Sequence, residues 1–238
     1  MQFHLLPDRT AGAAENMATD FMLLQRYPNE QDIRFRHYDW HRPAFTFGYS
    51  QKIEFVRGQL PAGEVVELCR RPTGGGVVDH RADWTYALVV PRGHPAYDVR
   101  ATESYRIVHA CIAEAFRALK QPAVLHERPA AAPDGKPAGP GICFIQAELY
   151  DVISPANGRK IAGAAQKRTK HGLLFQGSIA RQVVSAQLDW EAFRTGFLER
   201  LAAALGVQPE ETPWPDWSDE ELAALVEQYS TPEWNEFR

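Results

Sequence analysis

The sequence predicts an α+β fold: a mixed, largely antiparallel β-sheet flanked by helices, with those helices on one side of it. Three observations favour this class. Short apolar segments of strand character follow one another between positions 33 and 90, separated by turns. A long helical pattern over 102–119 comes only after these strands, and a hairpin pattern surrounds Asn157 and Gly158. This order differs from the strand and helix alternation of a parallel α/β fold.

The individual elements follow from local periodicity. Met17, Phe21 and Leu24 recur at helical spacing, so a first helix is predicted over 16–27, with Asn16 as its cap. The next strands are predicted over 33–38, 44–48, 65–69, 77–79 and 84–90, and the helix over 102–119 carries a continuous apolar stripe. After a Pro- and Gly-rich loop over 127–140 come hairpin strands over 148–153 and 159–166, a strand over 173–179, and helices over 190–205 and 219–228.

Size and composition indicate one globular domain. The chain has 238 residues, 45% of them hydrophobic and 24% charged, so we expect a single domain over 1–238. Its last part, about 186–238, is predicted to be a short helical extension and not a separate accessory domain. A net charge of −4 argues against nucleic-acid binding through bulk positive charge. There is neither an eighteen-residue apolar run nor a signal-peptide pattern, so we expect a cytoplasmic protein without a membrane partner.

The cysteines and histidines predict neither a disulfide framework nor a metal site. The three cysteines contain no CxxC pair, and the eight histidines show no metal-ligand spacing. Cys69 and Cys111 lie within apolar patterns and are interpreted as core residues. Cys143 follows the predicted loop and has two interpretations, a buried small side chain or a nucleophile that needs a neighbouring cation to lower its pKa.

The segment 70–80, RRPTGGGVVDH, is the strongest candidate for a ligand loop. Its three glycines stand between two strand-like stretches, where backbone without side chains allows close approach. The pattern fits neither a P-loop nor a dinucleotide-binding fingerprint. Arg70 and Arg71 could bind a carboxylate or phosphate, or could be solvated strand-end charges. A tight turn without a ligand is the alternative for the glycines.

Lys160 is the second candidate, because it stands at the start of an otherwise small and apolar strand. With a period of two, its side chain would share a face with Ala162 and Ala164, which would leave room for a ligand beside the amine. A surface lysine next to a turn is the alternative.

Taken together, three motifs in order resemble the superfamily of lipoate-protein ligases, octanoyltransferases and biotin ligases. They are RRPTGGGVVDH at 70–80, GRKIAGAAQ at 158–166 and QGSI at 176–179, and the resemblance extends from 15–20 to 229–235. It is closest to the ligase-like octanoyltransferases that take octanoyl groups from a carrier protein. The resemblance implies the biotin/lipoate ligase catalytic-domain fold.

The resemblance also implies a reaction and its residues. Cys143 would attack an octanoyl thioester delivered by acyl carrier protein, and Lys160 would contact the acyl carbonyl. The acyl group would then pass to a lysine of a lipoyl domain or of the glycine-cleavage H protein, with no cofactor required. The implied substrate-binding residues are Arg70, Arg71, Thr73, Gly74, Gly75, Gly76, His80, Gly163, Ala164, Gln176, Gly177 and Ser178.

Other activities stay open as alternatives. Gln176 stands where these octanoyltransferases tend to have a histidine, and Glu148 where they often have a small hydroxyl or proline. An ATP-dependent lipoate-protein ligase, which would require ATP and Mg, is one alternative, although the Arg-Asn-Asp type segment frequent in ligases is absent. A lipoyl-protein amidotransferase is another, and a biotin ligase a third. An acyl-binding or carrier-docking module without catalysis is the alternative from a different class.

Overall fold

The computed structural model of the chain describes residues 1–127 and 147–238. Its strands are β1 (Phe3–Leu5), β2 (Arg9–Ala11), β3 (Ile33–Trp40), β4 (Ala44–Phe47), β5 (Glu67–Arg70), β6 (Val77–Asp79), β7 (Asp83–Val90), β8 (Val124–Leu125), β9 (Val152–Ile153), β10 (Lys160–Thr169), β11 (Gly172–Ala180) and β12 (Pro209–Glu211). Its helices are α1 (Ala13–Gln25), α2 (Ile53–Arg57), α3 (Pro95–Asp98), α4 (Ala101–Ala118), α5 (Trp190–Leu205), α6 (Asp219–Ser230) and α7 (Pro232–Asn235). The predicted α+β class is confirmed.

The larger of two sheets contains nine strands and has the long strands at its centre. Its order is β12-β1-β3-β7-β11-β10-β9-β8, and β2 also pairs with β3. Pairing is antiparallel from β3 through to β8, and parallel where β1 joins β3 and β12. The sheet is therefore mixed and largely antiparallel, as predicted.

Alternate residues of β7 face two different cores. Tyr86 and Leu88 pack with α4 and α5, whereas Ala87 and Val89 pack with α1. Successive side chains of a strand point to opposite faces, so helices cover both faces of the sheet. The expectation that the helices lie on one side is wrong. A strand that is apolar at consecutive positions is typical of burial on both faces, and β7 has that composition.

Three short strands form the second sheet, in the order β5-β4-β6. β4 pairs in parallel with β5 and antiparallel with β6, so the glycine-rich loop 71–76 runs from one edge of this small sheet to the other. The small sheet faces β7, β10 and β11 of the large sheet across a cavity, which α1 borders at Met17. The predicted ligand loop therefore lies between the two sheets.

The predicted helix cap at Asn16 is wrong. The first helix begins at Ala13, and Asn16 is buried inside its first turns. The Asn16 side-chain amide donates to the carbonyls of Ala11 and Asp39. Asn16 therefore joins the helix to the strands beside it.

The predicted strand over 148–153 is also wrong over most of its length. Only Val152–Ile153 is extended, because Tyr150 has a φ of 68°. A residue other than glycine in this left-handed region interrupts an extended strand. The turn at Gly158 has the positive φ, 70°, that the sequence predicts there.

Within the described ranges, no helix has the length and apolar character needed to cross a membrane. In the same ranges, no group of three or more histidine, cysteine, aspartate or glutamate side chains is arranged to hold a metal ion. Cys143 and nearly all of the predicted loop over 127–140 lie outside the described residues.

Candidate active site

A cavity lies between the two sheets, with an empty volume of about 480 Å³ that includes its opening to solvent. Small residues of β10, β11 and the glycine-rich loop provide the space, and polar side chains from five strands project toward it. Its lining includes the predicted residues Arg71, Gly75, His80, Lys160, Gly163, Ala164, Gln176, Gly177 and Ser178. It also includes Met17, Tyr38, Thr46, Val78, Thr85 and Ala165, which the sequence analysis did not single out.

Lys160 is buried at the start of β10, with 8% of its surface exposed. Its ammonium lies 2.7 Å from Oδ2 of Asp151. The same carboxylate oxygen accepts a hydrogen bond of 2.7 Å from the backbone N–H of Glu148. A buried cation needs such a partner, because removing a charge from water without one is very unfavourable. The surface-lysine interpretation is therefore wrong for Lys160.

A β-bulge changes which residues share a face with Lys160. The pairing of β9 with β10 shifts register between Lys160 and Ala162, and Ala162 packs in the large core. The ammonium instead lies beside Gly163, where a Cβ atom would be 2.5 Å from Nζ. The expected face shared with Ala162 is therefore wrong, because a bulge adds one residue and reverses the alternation.

The triple glycine is held from inside by Arg71. Its guanidinium donates to the carbonyls of Gly74, at 2.8 Å and 3.2 Å, and of Gly76, at 2.8 Å. Gly75 has a φ of 89°, which favours glycine. From the other side the loop packs on Gly48, where a Cβ atom would lie 2.0 Å from the Gly75 carbonyl oxygen. The space beside these glycines is therefore occupied in part by other residues of the same chain, Gly48 and the Arg71 side chain.

Arg70 has a different position from its neighbour. It is fully buried, but it is not among the described residues that line the cavity. Its guanidinium donates to backbone carbonyls of two segments that are distant in sequence. These carbonyls belong to Tyr49, Gln51, Trp234 and Asn235. Arg70 thus joins β5 to α7, and its predicted contact with substrate stays a prediction.

Thr73 and Gln176 connect the glycine-rich loop to α1. The Thr73 hydroxyl donates to Oε1 of Gln176, at 2.7 Å, and Nε2 of Gln176 donates to the Asp20 carboxylate, at 2.6 Å. Asp20 also forms an ion pair of 2.7 Å with Arg36. Burial raises the pKa of the Asp20 carboxyl, while Arg36 and the hydrogen bond from Gln176 act in the opposite direction. An amide at 176 therefore serves both neighbours, as donor to one and acceptor from the other.

His80 is held at both ring nitrogens. Nδ1 lies 2.7 Å from Oδ2 of Asp83, and Nε2 lies 2.8 Å from the Thr46 hydroxyl. The ring stacks on Trp40, with 4.1 Å between ring centroids. The Ser178 hydroxyl donates to the same Asp83 oxygen. Both His80 and Asp83 are 7% exposed, so this is a buried histidine and carboxylate pair in the wall of the cavity.

His109 supports the turn that carries Asp151. It lies on α4, on the large-core face of the sheet, and is 1% exposed. Its Nδ1 donates to the carbonyl of Tyr150, at 2.7 Å. Burial lowers the pKa of His109, and the Tyr150 carbonyl and the Asp151 carboxylate oppose that effect. The left-handed residue before Asp151 is thus fixed by a buried ring.

Two of the three cysteines are core residues, as predicted. Cys69 and Cys111 are buried, and burial raises the pKa of both thiols, that of Cys111 to about 12. Neither thiol has the lowered pKa that a nucleophile needs. Cys143, the predicted nucleophile, is outside the described residues, so its role stays a prediction.

The chain matches a known family over most of its length. The family described as the lipoyl protein ligase A/B catalytic domain matches residues 12–193, which contain all the residues that line the cavity. The chain belongs to this family. The three motifs from which the sequence analysis inferred the resemblance all lie inside the matched range.

Lipoyl ligase A/B relatives with curated names include octanoyltransferases. Octanoyltransferase LipM of Geobacillus kaustophilus is 35% identical over 171 residues, which cover 70% of this chain and 60% of that protein. The match thus spans about three fifths of the relative's length. Octanoyltransferase LipM of Brevibacillus brevis is 27% identical, with 98% of each chain covered.

Solved structures of lipoate-protein ligases share the fold. Lipoate-protein ligase A bound with ATP superposes with a TM-score of 0.70 at 19% identity, covering 99% of this chain and 98% of the other. A bi-partite lipoate protein ligase from Thermoplasma acidophilum gives a TM-score of 0.67 at 20% identity, covering 99% and 96%. The predicted catalytic-domain fold is confirmed.

Sequence analysis did not identify three carboxylates that bind polar side chains in the wall of the cavity. Asp151 holds Lys160, Asp83 holds His80, and Asp20 holds Gln176. Asp83 was within reach of sequence analysis, since it follows His80 by three residues in the same turn. Asp20 and Asp151 meet their partners through long-range pairing, which no local pattern indicates.

Proposed function

We propose that the chain transfers an octanoyl or lipoyl group to a specific lysine of lipoyl domains through an acyl-cysteine at Cys143. The observation that carries this proposal is the buried Lys160 ammonium, fixed by Asp151 at the wall of the cavity between the two sheets. The names of the LipM relatives support the choice of octanoyl transfer. The expected donor is octanoyl acyl carrier protein, and the expected acceptors are lipoyl domains or the glycine-cleavage H protein.

The cavity suits a medium-length acyl chain. Met17, Val78 and the glycine and alanine positions of β10 offer apolar or small surfaces. Burying about seven methylene-sized groups would contribute up to roughly 5 to 6 kcal/mol, at about 0.8 kcal/mol for each, before entropy costs. Hydrogen-bonding groups on the same walls would fix the orientation of the thioester.

Lys160 would act on the carbonyl end of that chain. When the Cys143 thiolate attacks the donor thioester, negative charge develops on the carbonyl oxygen, and a fixed ammonium stabilises it. The donor thiol leaves, and the acyl group stays on Cys143. Attack by the acceptor lysine then forms the amide and releases the cysteine. The Asp151 carboxylate would hold the ammonium in place through both steps.

Mass spectrometry tests this proposal. The protein is mixed with octanoyl acyl carrier protein, and we expect an octanoyl mass on Cys143 that disappears when a lipoyl domain is added. Cys143→Ala should form no adduct and transfer nothing, while Cys111→Ala, which removes a buried core thiol, should still form the adduct. Absence of the adduct, together with ATP-dependent attachment of lipoate that survives in Cys143→Ala, would contradict the proposal.

A lipoate-protein ligase is the second candidate. The residue that favours it is Gln176, which replaces the histidine expected in octanoyltransferases and binds Thr73 and Asp20 instead. A ligase would consume ATP with Mg, so release of pyrophosphate on addition of lipoate and ATP would identify it. An amidotransferase, also compatible with Gln176, would instead take its acyl group from another lipoylated protein.

A further inference from the structure

The buried pair of His80 and Asp83 stands between two cavities. His80 lines the cavity described above, and both residues line a second, open pocket on the outer side of the same turn. That pocket has an empty volume of about 940 Å³ and includes Trp40, His41 and Arg181. A group at this position connects the site of acyl chemistry with solvent.

A chain of hydrogen bonds runs through this pair. The Thr46 hydroxyl oxygen accepts from Arg71, at 3.1 Å, and lies 2.8 Å from Nε2 of His80, while Nδ1 of His80 lies 2.7 Å from Oδ2 of Asp83. In the tautomer that donates from Nδ1 to Asp83, Nε2 carries the lone pair and accepts the Thr46 hydroxyl hydrogen. A carboxylate, imidazole and hydroxyl in this order form an array that accepts protons.

Asp83 is itself fixed by its neighbours. One of its oxygens accepts from His80 and from the Ser178 hydroxyl, and the other accepts from the Thr85 hydroxyl, at 3.0 Å. Ser178 is the register partner of Gly163 on β10, the residue beside the Lys160 ammonium. Asp83 begins β7 and Lys160 begins β10, and β11 lies between these strands, so their backbones are about 10 Å apart at roughly 5 Å for each pair of neighbours.

The reaction proposed above needs a base at this place, and so does its ligase alternative. The attacking group is a lysine amine, with an ordinary pKa of about 10.4, so only about one in a few thousand is neutral at pH 7. Cys143 and Lys160 already have other tasks, as nucleophile and as oxyanion stabiliser. We propose that His80, oriented by Asp83 and acting through the Thr46 hydroxyl, takes the proton of the acceptor lysine. This inference rests on the proposed acyl transfer.

The step balances as follows. The acceptor ammonium gives one proton to the Thr46 oxygen, and the Thr46 hydroxyl hydrogen moves to Nε2 of His80, which becomes an imidazolium beside Asp83. The neutral amine forms the C–N bond, and the C–S bond to Cys143 breaks with its electron pair on sulfur. The second amine proton neutralises the thiolate. The imidazolium releases its proton to water in the open pocket.

The charges around the ring come from several elements. Asp79, at the end of β6, and Asp83, at the start of β7, flank His80 in the sequence. The other charged groups are Arg71 through Thr46, Arg42, Arg81, Asp39 and Arg181 in the open pocket, and Lys160 in the inner cavity.

The two half-reactions separate this inference from the proposed function. Enzyme carrying octanoyl on Cys143 is mixed with a lipoyl domain, and transfer is followed from pH 7 to pH 9. We expect His80→Gln to form the adduct within about threefold of wild type but to pass the acyl group on roughly 100-fold more slowly at pH 7. Its rate should rise about tenfold per pH unit, with the fraction of neutral amine, and approach wild type at pH 9.

A matched pair of substitutions tests the hydroxyl relay. Thr46→Val should show the same slow, pH-dependent transfer, whereas Thr46→Ser keeps the hydroxyl and should transfer within about threefold of wild type. His41→Gln, at an exposed histidine of the same open pocket, is the control. Transfer by His80→Gln and Thr46→Val within twofold of wild type across this pH range would overturn the inference.

Failure of the proposed function gives a different result. If wild-type protein forms no adduct but attaches lipoate with ATP, the transferase proposal fails, and the same variants and pH series are then measured on that attachment. A flat pH dependence in wild type and a steep one in His80→Gln supports the base in that case too, and equal profiles overturn it. Thermal melting shows whether each variant is folded. If His80→Gln is unfolded, the transfer rate of Thr46→Val decides the test.

Discussion

The position of the Lys160 ammonium is set as much by a missing side chain as by a partner. Asp151 attracts the charge from one side, and Gly163 leaves the space in which it lies. A Cβ atom at 163 would stand 2.3 Å from Cε and 2.5 Å from Nζ, and 2.9 Å from an oxygen of Asp151. A methyl group at position 163 would displace the ion pair of Lys160 and Asp151. Glycine is therefore required here because of space, and not because of its backbone conformation.

Gly163→Ala should therefore separate the ion pair. A displacement of about 1 Å at a catalytic group commonly costs around 100-fold in rate, so we expect octanoyl transfer to fall by about that factor while the protein stays folded. Transfer and melting temperature are measured together. Gly58→Ala is the control, because a Cβ atom at 58 would make only ordinary contacts, at 3.4 Å and beyond. Transfer by Gly163→Ala within threefold of wild type would mean that the ammonium tolerates the methyl group.

Several elements are too short to be recognised from the sequence. The long strands and helices were predicted because period and composition repeat over many residues, and their order is confirmed. β8 and β9 have two residues each, and β1, β2 and β12 have three, so none of them contains a full repeat of any pattern. β1, β2 and β9 pair with the longer strands β3 and β10, and β12 and β8 pair in turn with β1 and β9, so all five depend on hydrogen-bonding groups that the assembled sheet offers at its edges.

The paired arginines at the end of β5 are a second feature whose separate roles could not be predicted from the sequence. The sequence places two identical cations at the entrance to the glycine-rich loop. The structure directs Arg71 to the carbonyls of Gly74 and Gly76 and Arg70 to α7. Neighbouring residues of a strand point to opposite sides, so two identical side chains that are adjacent in the sequence contact different parts of the protein.

Arg70→Met should accordingly affect stability more than substrate binding. The substitution leaves several buried carbonyls without their charged donor, and we expect the free energy of unfolding to fall by about 3 kcal/mol. Chemical denaturation measures this loss, and KM for the acyl donor, measured on folded protein, should change by less than about threefold. A large rise in KM with unchanged stability would instead place Arg70 in the substrate site.

At the scale of the whole molecule, stability should depend on buried histidines. Burial lowers the pKa of His109 and of His37, so both are neutral in the folded protein at pH 7. An unfolded histidine titrates near 6.5, so below that pH the unfolded chain binds more protons than the folded one. The free energy of unfolding should then decrease on acidification, by up to about 1.4 kcal/mol per pH unit for each such group.

His109→Gln should make this decrease shallower, because an amide keeps a donor for the Tyr150 carbonyl but does not titrate. Urea denaturation between pH 7 and pH 5 measures the slope, and we expect it to be smaller than in wild type but not zero, since His37 remains. His41→Gln, at an exposed position, should leave the slope unchanged. Parallel slopes for His109→Gln and wild type would show that His109 is not protonated on unfolding in this range.

Tertiary pairing also explains which parts of the site could be predicted. The glycine-rich loop, Lys160 and the small residues of β10 were found because each stands out from its local context. Asp20 and Asp151, the partners of Gln176 and Lys160, look like ordinary surface acids in the sequence, since only the fold brings them to a buried amide or cation. A buried polar network depends on which residues meet in the fold, and a single sequence shows the residues but not their pairing.

The alternation along β7 has a consequence for how this protein can vary. Thr85 faces the cavity, whereas the next residue, Tyr86, faces the core on the other side of the sheet. A slip of one residue would exchange the two, so the register of the strand is fixed whatever the cavity binds. Residues that face the cavity and residues that maintain the fold thus form two separate sets on one strand. Under the proposed function, substitutions in the first set would change acyl preference while the second set stays as it is.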